Sequence, residues 1–228
     1  MRRRTAWFLA YGLFSLPVHA AGLPDTLAQR LVACTSCHAR TDTAHGTVYF
    51  PRISGKPAGY LYNQLVNFRD GRRQYPVMAY MVARLPDAYL HEIAGYFSGQ
   101  HPPAPPTAAI TASPTLLERG RVLVTQGDRA RNVPACVACH GQALSGTLPG
   151  VPGLIGLPRD YINAQFGGWR NGTRRAAAPD CMGVIASRLS LEDINAASTW
   201  LASQLFSADA RPAAALTQPL PLACGSVP

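Results

Sequence analysis

Two Cys-x-x-Cys-His sites, Cys34/Cys37/His38 and Cys136/Cys139/His140, constrain this 228-residue chain more than anything else in it. Two thiols at that spacing add across the two vinyl groups of a porphyrin as thioethers, and the adjoining histidine is then placed to bind iron from the proximal side. A redox dithiol of the Cys-x-x-Cys kind needs a βαβ context that the sequence lacks. A zinc site built from both cysteine pairs leaves the two histidines without a role. The expectation is two covalently bound heme c groups, one at each motif.

The first twenty residues look different from the rest and read as an export signal. Arg2, Arg3 and Arg4 form a basic start, an apolar run follows from Ala6 to Leu16, and Val18-His19-Ala20 resembles a signal-peptidase site. Residues 1–20 are expected to be a signal peptide cleaved after Ala20, which directs the mature chain to the periplasm. The apolar run is shorter than the roughly 20 residues a membrane helix needs, so the mature chain should have no transmembrane segment. The formal net charge of +9 includes the three leader arginines, and two hemes bring up to about four propionate charges. What remains is near-neutral, and no nucleic-acid motif accompanies it.

The chain also repeats itself. PRISGKPAGYLYNQLVNFRDGRR from Pro51 is matched by PGLIGLPRDYINAQFGGWRNGTRR from Pro152, with Gly55/Gly156, Pro57/Pro158, Tyr60/Tyr161, Gln64/Gln165, Phe68/Trp169, Arg69/Arg170 and Gly71/Gly172 in register. Each half is then one structural unit: residues 21–100 a first domain, 114–228 a second domain with a C-terminal tail. Between them the Pro-rich stretch 101–113, beginning His101-Pro-Pro-Ala-Pro-Pro, reads as a stiff linker. The pattern within each half is helical. Leu90, Ile93, Ala94 and Phe97 predict a closing helix in the first half, and Ile194, Ala197 and Leu201 its counterpart, opened by Ser190 and Asp193 as a capping box. A helix is expected before each heme site, from Leu27 and Leu31 and from Leu116, Gly120 and Leu123, with Gly120 permitting close approach to Trp200. The fold class is all-α with irregular heme-wrapping loops.

Each iron needs an explanation for its second face. Met78 lies seven residues before Leu85 and Met182 seven before Leu189, each just ahead of a closing helix, so repeat symmetry selects these two methionines as axial ligands opposite His38 and His140. Met81, matched by Ile185, reads as packing. Cys181, beside Met182, is the alternative ligand of the second iron. An iron-bound histidine normally donates its other ring N–H to a carbonyl, and Pro51 and Pro152 are the candidates to supply it. Tyr60, Arg69, Tyr161, Trp169 and Arg170 are candidates to hydrogen-bond propionates, with solvated helix-face charges as the other reading of the two arginines. His45, His91 and His101 have no repeat partners and read as surface residues.

With these residues in place the chain resembles the cytochrome c4 family. The resemblance rests on NVPACVACHG at 132–141, FPRISGK at 50–56, the tyrosine-glutamine-arginine-glycine pattern in both halves, and Met-x6-Leu before each closing helix. It implies two tandem class I cytochrome c domains, His/Met-ligated hemes, and electron delivery between respiratory-chain partners such as a quinol-oxidising complex and a terminal oxidase. Pro86 stands where the family often has a serine cap, and the tail after Gln204 extends beyond the repeat. Two cysteines, Cys181 and Cys224, belong to neither motif, and in an oxidising compartment spare thiols commonly pair. Matching methionines in both halves favour an electron-transfer protein without catalytic residues. The alternatives are a cytochrome c subunit of a periplasmic dehydrogenase, and a two-heme enzyme acting on peroxide or sulfur compounds.

Overall fold

A computed structural model describes residues 25–38, 49–101, 110–207 and 209–227. The expected signal peptide, His45 and the middle of the linker, 102–109, lie outside the described residues. Among those described, ten α-helices, a 3-10 turn at Arg129–Arg131 and one two-stranded antiparallel ladder account for the regular structure.

The first half runs α1 (Leu27–Arg30) and α2 (Val32–His38), which carries the first heme motif, then α3 (Ala58–Arg69), α4 (Pro76–Val82) and α5 (Asp87–Ser98). The second half repeats the order with α6 (Pro114–Gln126), α7 (Val137–His140), α8 (Arg159–Arg170), α9 (Cys181–Arg188) and α10 (Leu191–Ser203). Between α7 and α8 the strands β1 (Gly146–Thr147) and β2 (Val151–Pro152) pair antiparallel. Proline opens several of these helices, because its fixed φ suits the entry to a first turn where the missing N–H is not needed. Pro57 and Pro158 stand at the N-caps of the equivalent helices α3 and α8, and Pro76 and Pro114 within the first turns of α4 and α6.

The predicted periodicities bury as expected. Leu90, Ile93, Ala94 and Phe97 all point inward from α5, meeting Leu31, Leu61, Phe68 and Val82 in one core. Ile194, Ala197 and Leu201 do the same from α10, against Leu123, Val133, Ile162 and Phe166 in a second core. Each such leucine, isoleucine, valine or phenylalanine contributes roughly 1.5–3 kcal/mol by leaving water, the alanines less. The capping box of Ser190 and Asp193 is present in full. Gly120 is a contact glycine: a Cβ there would lie 2.2 Å from the Ala196 carbonyl oxygen and 2.7 Å from Trp200 Cβ, so α6 and α10 cross backbone to backbone.

The halves meet through equivalent residues. Arg73 and Arg174 pair as an antiparallel bridge, the Gln74 N–H donates to the Thr173 carbonyl at 2.7 Å, and the Arg175 N–H donates to the Arg72 carbonyl at 2.7 Å. Because position 73 corresponds to 174 and 72 to 173, each bond has its mirror image with the halves exchanged. The junction is therefore locally two-fold.

Candidate heme-binding site

The motif cysteines and histidines sit on short helices whose last residue is the histidine, α2 in the first half and α7 in the second. In each half the chain then turns back so that a proline carbonyl faces the imidazole. His38 Nδ1 is 2.8 Å from the Pro51 oxygen, and His140 Nδ1 is 2.7 Å from the Pro152 oxygen. Nδ1 donates in these bonds, which leaves Nε2 with its lone pair for a metal. Burial pushes both imidazoles below their ordinary pKa, and the neutral ring it favours is the form that ligates iron.

The methionines occupy helices of their own rather than loops. Met78 lies in α4 and packs against the same core as Cys34; Met182 lies in α9 and packs against the same core as Cys136. Asp180 caps α9, accepting from Gly183 N–H at 2.9 Å with one carboxylate oxygen and from Ala176 N–H at 2.8 Å with the other. That double bond fixes the start of the helix one turn around Met182.

In the second half these groups line one apolar cavity: Cys136, Cys139, His140 and Met182, walled by Leu123, Phe166 and Leu201. Burial raises the Cys136 thiol to about 12. Such a site holds an apolar ring far better than a hydrated metal ion, and no cluster of three or more metal-ligating side chains occurs among the described residues. Two further observations fit a porphyrin with acidic side groups. Trp169 Nε1, on the cavity wall, is buried without a hydrogen-bond partner among the described residues. At the end of the cavity facing the first half, Lys56, Arg73 and Arg174 gather around Tyr60, Tyr161, Gln64 and Gln165.

This last cluster is reciprocal. Arg73 donates to Gln64 of its own half at 2.8 Å and to Gln165 of the other at 2.7 Å; Arg174 donates to Gln165 and, at 3.4 Å, to Gln64. Among the described residues neither arginine is paired with a carboxylate. Burial, together with Arg73, pushes the Arg174 guanidinium down to about 10. Burial also works against ionisation of Tyr60, yet Arg174, Arg73 and Lys56 hold that phenol below its usual range. Buried cations with only neutral partners call for anions, and heme propionates are anions of the right kind.

Of the arginines singled out in the sequence, Arg69 and Arg170 do other work. Arg69 donates to the Leu85 carbonyl at 3.2 Å and pairs with Asp87 and Asp70; Arg170 donates to the carbonyls of Ala186 and Leu189. Both tie the third helix of their half to the turn that leads into the closing helix. Arg170 is exposed and Arg69 half-buried, and each reaches carbonyls at or just beyond the end of the methionine helix of its half. His91 is exposed and stacks on Tyr62 at 3.7 Å.

The tail supplies the remaining wall. Cys181 and Cys224, 43 residues apart, are joined as a disulfide with Cα atoms 4.9 Å apart. Leu220, Leu222, Cys224 and Ser226 all line the cavity while the residues between them face outward. The alternation runs along a segment of bends that ends in a turn, the Val227 N–H donating to the Cys224 carbonyl at 3.1 Å.

The chain was compared with known proteins on this basis. No family profile matches it. It is 34% identical over 212 residues to the thiosulfate dehydrogenase electron acceptor of Thiomonas intermedia, covering 91% of this chain and 93% of the relative. It is 32% identical over 195 residues to cytochrome c4 of Pseudomonas aeruginosa, covering 85% of this chain and 94% of the relative. Among solved structures, cytochrome c4 of Acidithiobacillus ferrooxidans superposes with a TM-score of 0.63 at 28% identity, over 76% of this chain and 99% of that one. The matches cover nearly the whole length of each of these relatives. With its repeated heme motifs, its all-α class I halves and relatives of that extent, the chain belongs to the cytochrome c4 family of heme c electron-transfer proteins.

Proposed function

We propose that the chain carries two heme c groups, one in each of the domains 21–100 and 114–228, and passes single electrons between redox protein partners in the periplasm after removal of residues 1–20. Cys34, Cys37, Cys136 and Cys139 are the covalent attachment points, with His38 and Met78 the axial pair of the first iron and His140 and Met182 that of the second. The observation that carries this reading is the equivalence of the two sites, each with a histidine fixed by a proline carbonyl and a methionine packed into the same core.

Heme c supplies a one-electron couple at each site. The protein keeps the geometry constant while the charge changes: the Pro51 and Pro152 carbonyls hold the imidazoles, and the apolar wall excludes water. Thioether ligation leaves no open face for substrate. Arg73, Arg174 and Lys56 would hold propionates at the junction, and Trp169 Nε1 offers a further donor. The disulfide of Cys181 with Cys224 removes Cys181 from the candidate iron ligands. No helix among the described residues is long and apolar enough to cross a membrane.

A count of hemes by the alkaline pyridine method, with a spectroelectrochemical titration, tests the proposal. Two hemes per chain, two one-electron waves at positive potential, and a ferric far-red methionine band are expected. One heme per chain, or no such band, would sink it.

The donor is the open part of this function. A relative named as a thiosulfate dehydrogenase electron acceptor, similar over nearly the full chain, favours a dehydrogenase of sulfur compounds over a quinol-oxidising complex. Stopped-flow mixing of the ferric protein with a thiosulfate dehydrogenase and thiosulfate should reduce both hemes. No reduction there, with rapid reduction by a quinol-oxidising complex, would reverse the order.

A further inference from the structure

We infer that residues 214–227 form a latched cover over the methionine side of the second heme site, and that the Cys181–Cys224 disulfide is the latch. This rests on the proposed placement of the second heme but goes beyond it, because the tail has no counterpart in the repeat.

The tail is held at two places. Upstream, the Ala213 N–H donates to the Gly146 carbonyl at 2.9 Å and the Leu148 N–H donates to the Ala213 carbonyl at 2.8 Å, so Ala213 extends the β1 edge. Downstream, beside the disulfide, the Gly225 N–H donates to the Pro179 carbonyl at 2.9 Å and Asn63 Nδ2 donates to the Ser226 carbonyl at 2.9 Å, reaching back to the first half. Between these anchors Leu220 and Leu222 face the cavity. At the downstream end the fit is close: a Cβ on Gly225 would lie 2.1 Å from the Ala178 oxygen. The inward face is apolar and the outward face is exposed, so the segment shields the cavity without belonging to its core.

Among the described residues, nothing covers the matching surface of the first half. Tyr75, Val77, Tyr80 and Met81 surround Met78 on α4 and are all exposed, Tyr80 to 84%. By the Met78/Met182 correspondence Val77 matches Cys181, so the position that carries the latch in one half carries an exposed valine in the other. Among the described residues, the first methionine face is exposed and its equivalent is covered by the chain itself.

The latch and the ligand are separately supported. Asp180 fixes the start of α9 through the Gly183 and Ala176 amides, neither of which involves the tail. Breaking the disulfide should therefore uncover Met182 without displacing it. A dithiol does this by exchange: the sulfur–sulfur bond breaks, thiols form on Cys181 and Cys224, and the dithiol leaves as its own cyclic disulfide, so two electrons and two protons are conserved.

The test follows the binding of imidazole to the ferric protein by absorbance, since entry requires opening on the methionine side. Wild type should show one fast phase and one slow phase, assigned with the Met78→Ala variant. In Cys224→Ser the slow phase should accelerate at least tenfold while the fast phase is unchanged, and the far-red methionine band should persist before imidazole is added. Wild-type protein that has been reduced with a dithiol, alkylated, desalted and reoxidised should behave like the variant, which covers the case of a variant that fails to fold. An unchanged slow phase in both preparations, or equal acceleration of both phases, would overturn the latch. A count of one heme per chain would instead overturn the underlying placement, and the pyridine assay reports that independently.

Discussion

The two halves of this protein agree around the motif histidine and the methionine helix, and differ in how the closing helix is braced. Both hold a histidine against a proline carbonyl, both place a methionine helix before the closing helix, and both tie that turn with an arginine. Yet the closing helix α5 starts at Pro86 with no side-chain cap, and its nearest acid, Asp87, is exposed in its pair with Arg69. The closing helix α10 starts in a capping box whose Asp193 is buried and receives Arg119, Arg131 and Ser190 together. Burial of Asp193 opposes its charge, but Arg131 and Arg119 outweigh that and hold its carboxyl well below the usual range. Repeated chemistry is compatible with unequal bracing, and the second half carries more of it.

Removing each methionine breaks the comparison most severely. Met78→Ala and Met182→Ala should each abolish about half of the ferric far-red band and lower the potential of one wave, and the double variant should lose the band entirely. Retention of the full band in either single variant would mean that another residue ligates that iron.

Gly120→Leu should come next. The side chain has no space between Ala196 and Trp200, and a loss of at least about 3 kcal/mol confined to the second half is expected. For a domain of that size the thermal midpoint should fall by roughly 12 °C or more. Calorimetry should then resolve two transitions, and a single unshifted one would show that the close crossing is not maintained in solution.

Asp193→Asn should cost about 2 kcal/mol, since a buried acceptor of charged hydrogen bonds is weakened rather than deleted. Its pH dependence has a definite sign. A carboxyl depressed in the folded state contributes stability above its unfolded pKa, about 3.9, and that contribution is lost as pH falls through the lower folded value. Acid titration of the second half should therefore steepen below about pH 4 in wild type and flatten in the variant. The smallest effect belongs to Asp87→Asn, whose exposed pair with Arg69 should leave the midpoint of the first half unchanged within measurement. A fall as large as that of Asp193→Asn would erase the distinction between the halves.

What could be read from the sequence was whatever chemistry or periodicity fixes locally. The Cys-x-x-Cys-His motifs are fixed by their spacing, the closing helices by their apolar stripes, and Met78 and Met182 were selected by their place in the repeat. Pro51 and Pro152 were legible for the same reason, since a ligating histidine needs a carbonyl. The arginines were harder, because Arg69 and Arg170 repeat as faithfully as Arg73 and Arg174. Nothing local says which pair ties a turn and which faces its own counterpart across the junction. A signal did exist: Arg73 and Arg174 each follow the repeated glycine by two residues. The tail was opaque because a strap of bends and turns has no helical period, although Leu220, Leu222 and Cys224 at every second position line one edge of the cavity.

The reciprocal junction has an implication for descent. When equivalent positions touch each other, as Arg73 and Arg174 do with Gln64 and Gln165 exchanged between them, the contact has the form of an isologous dimer interface. A head-to-tail array of repeats would instead join unlike surfaces. The isologous contact is the form that tandem linkage of two self-associating copies of one unit would produce. The covalent connection then replaces concentration-dependent pairing with an effective concentration on the order of millimolar, so the paired state no longer depends on how much protein the compartment holds.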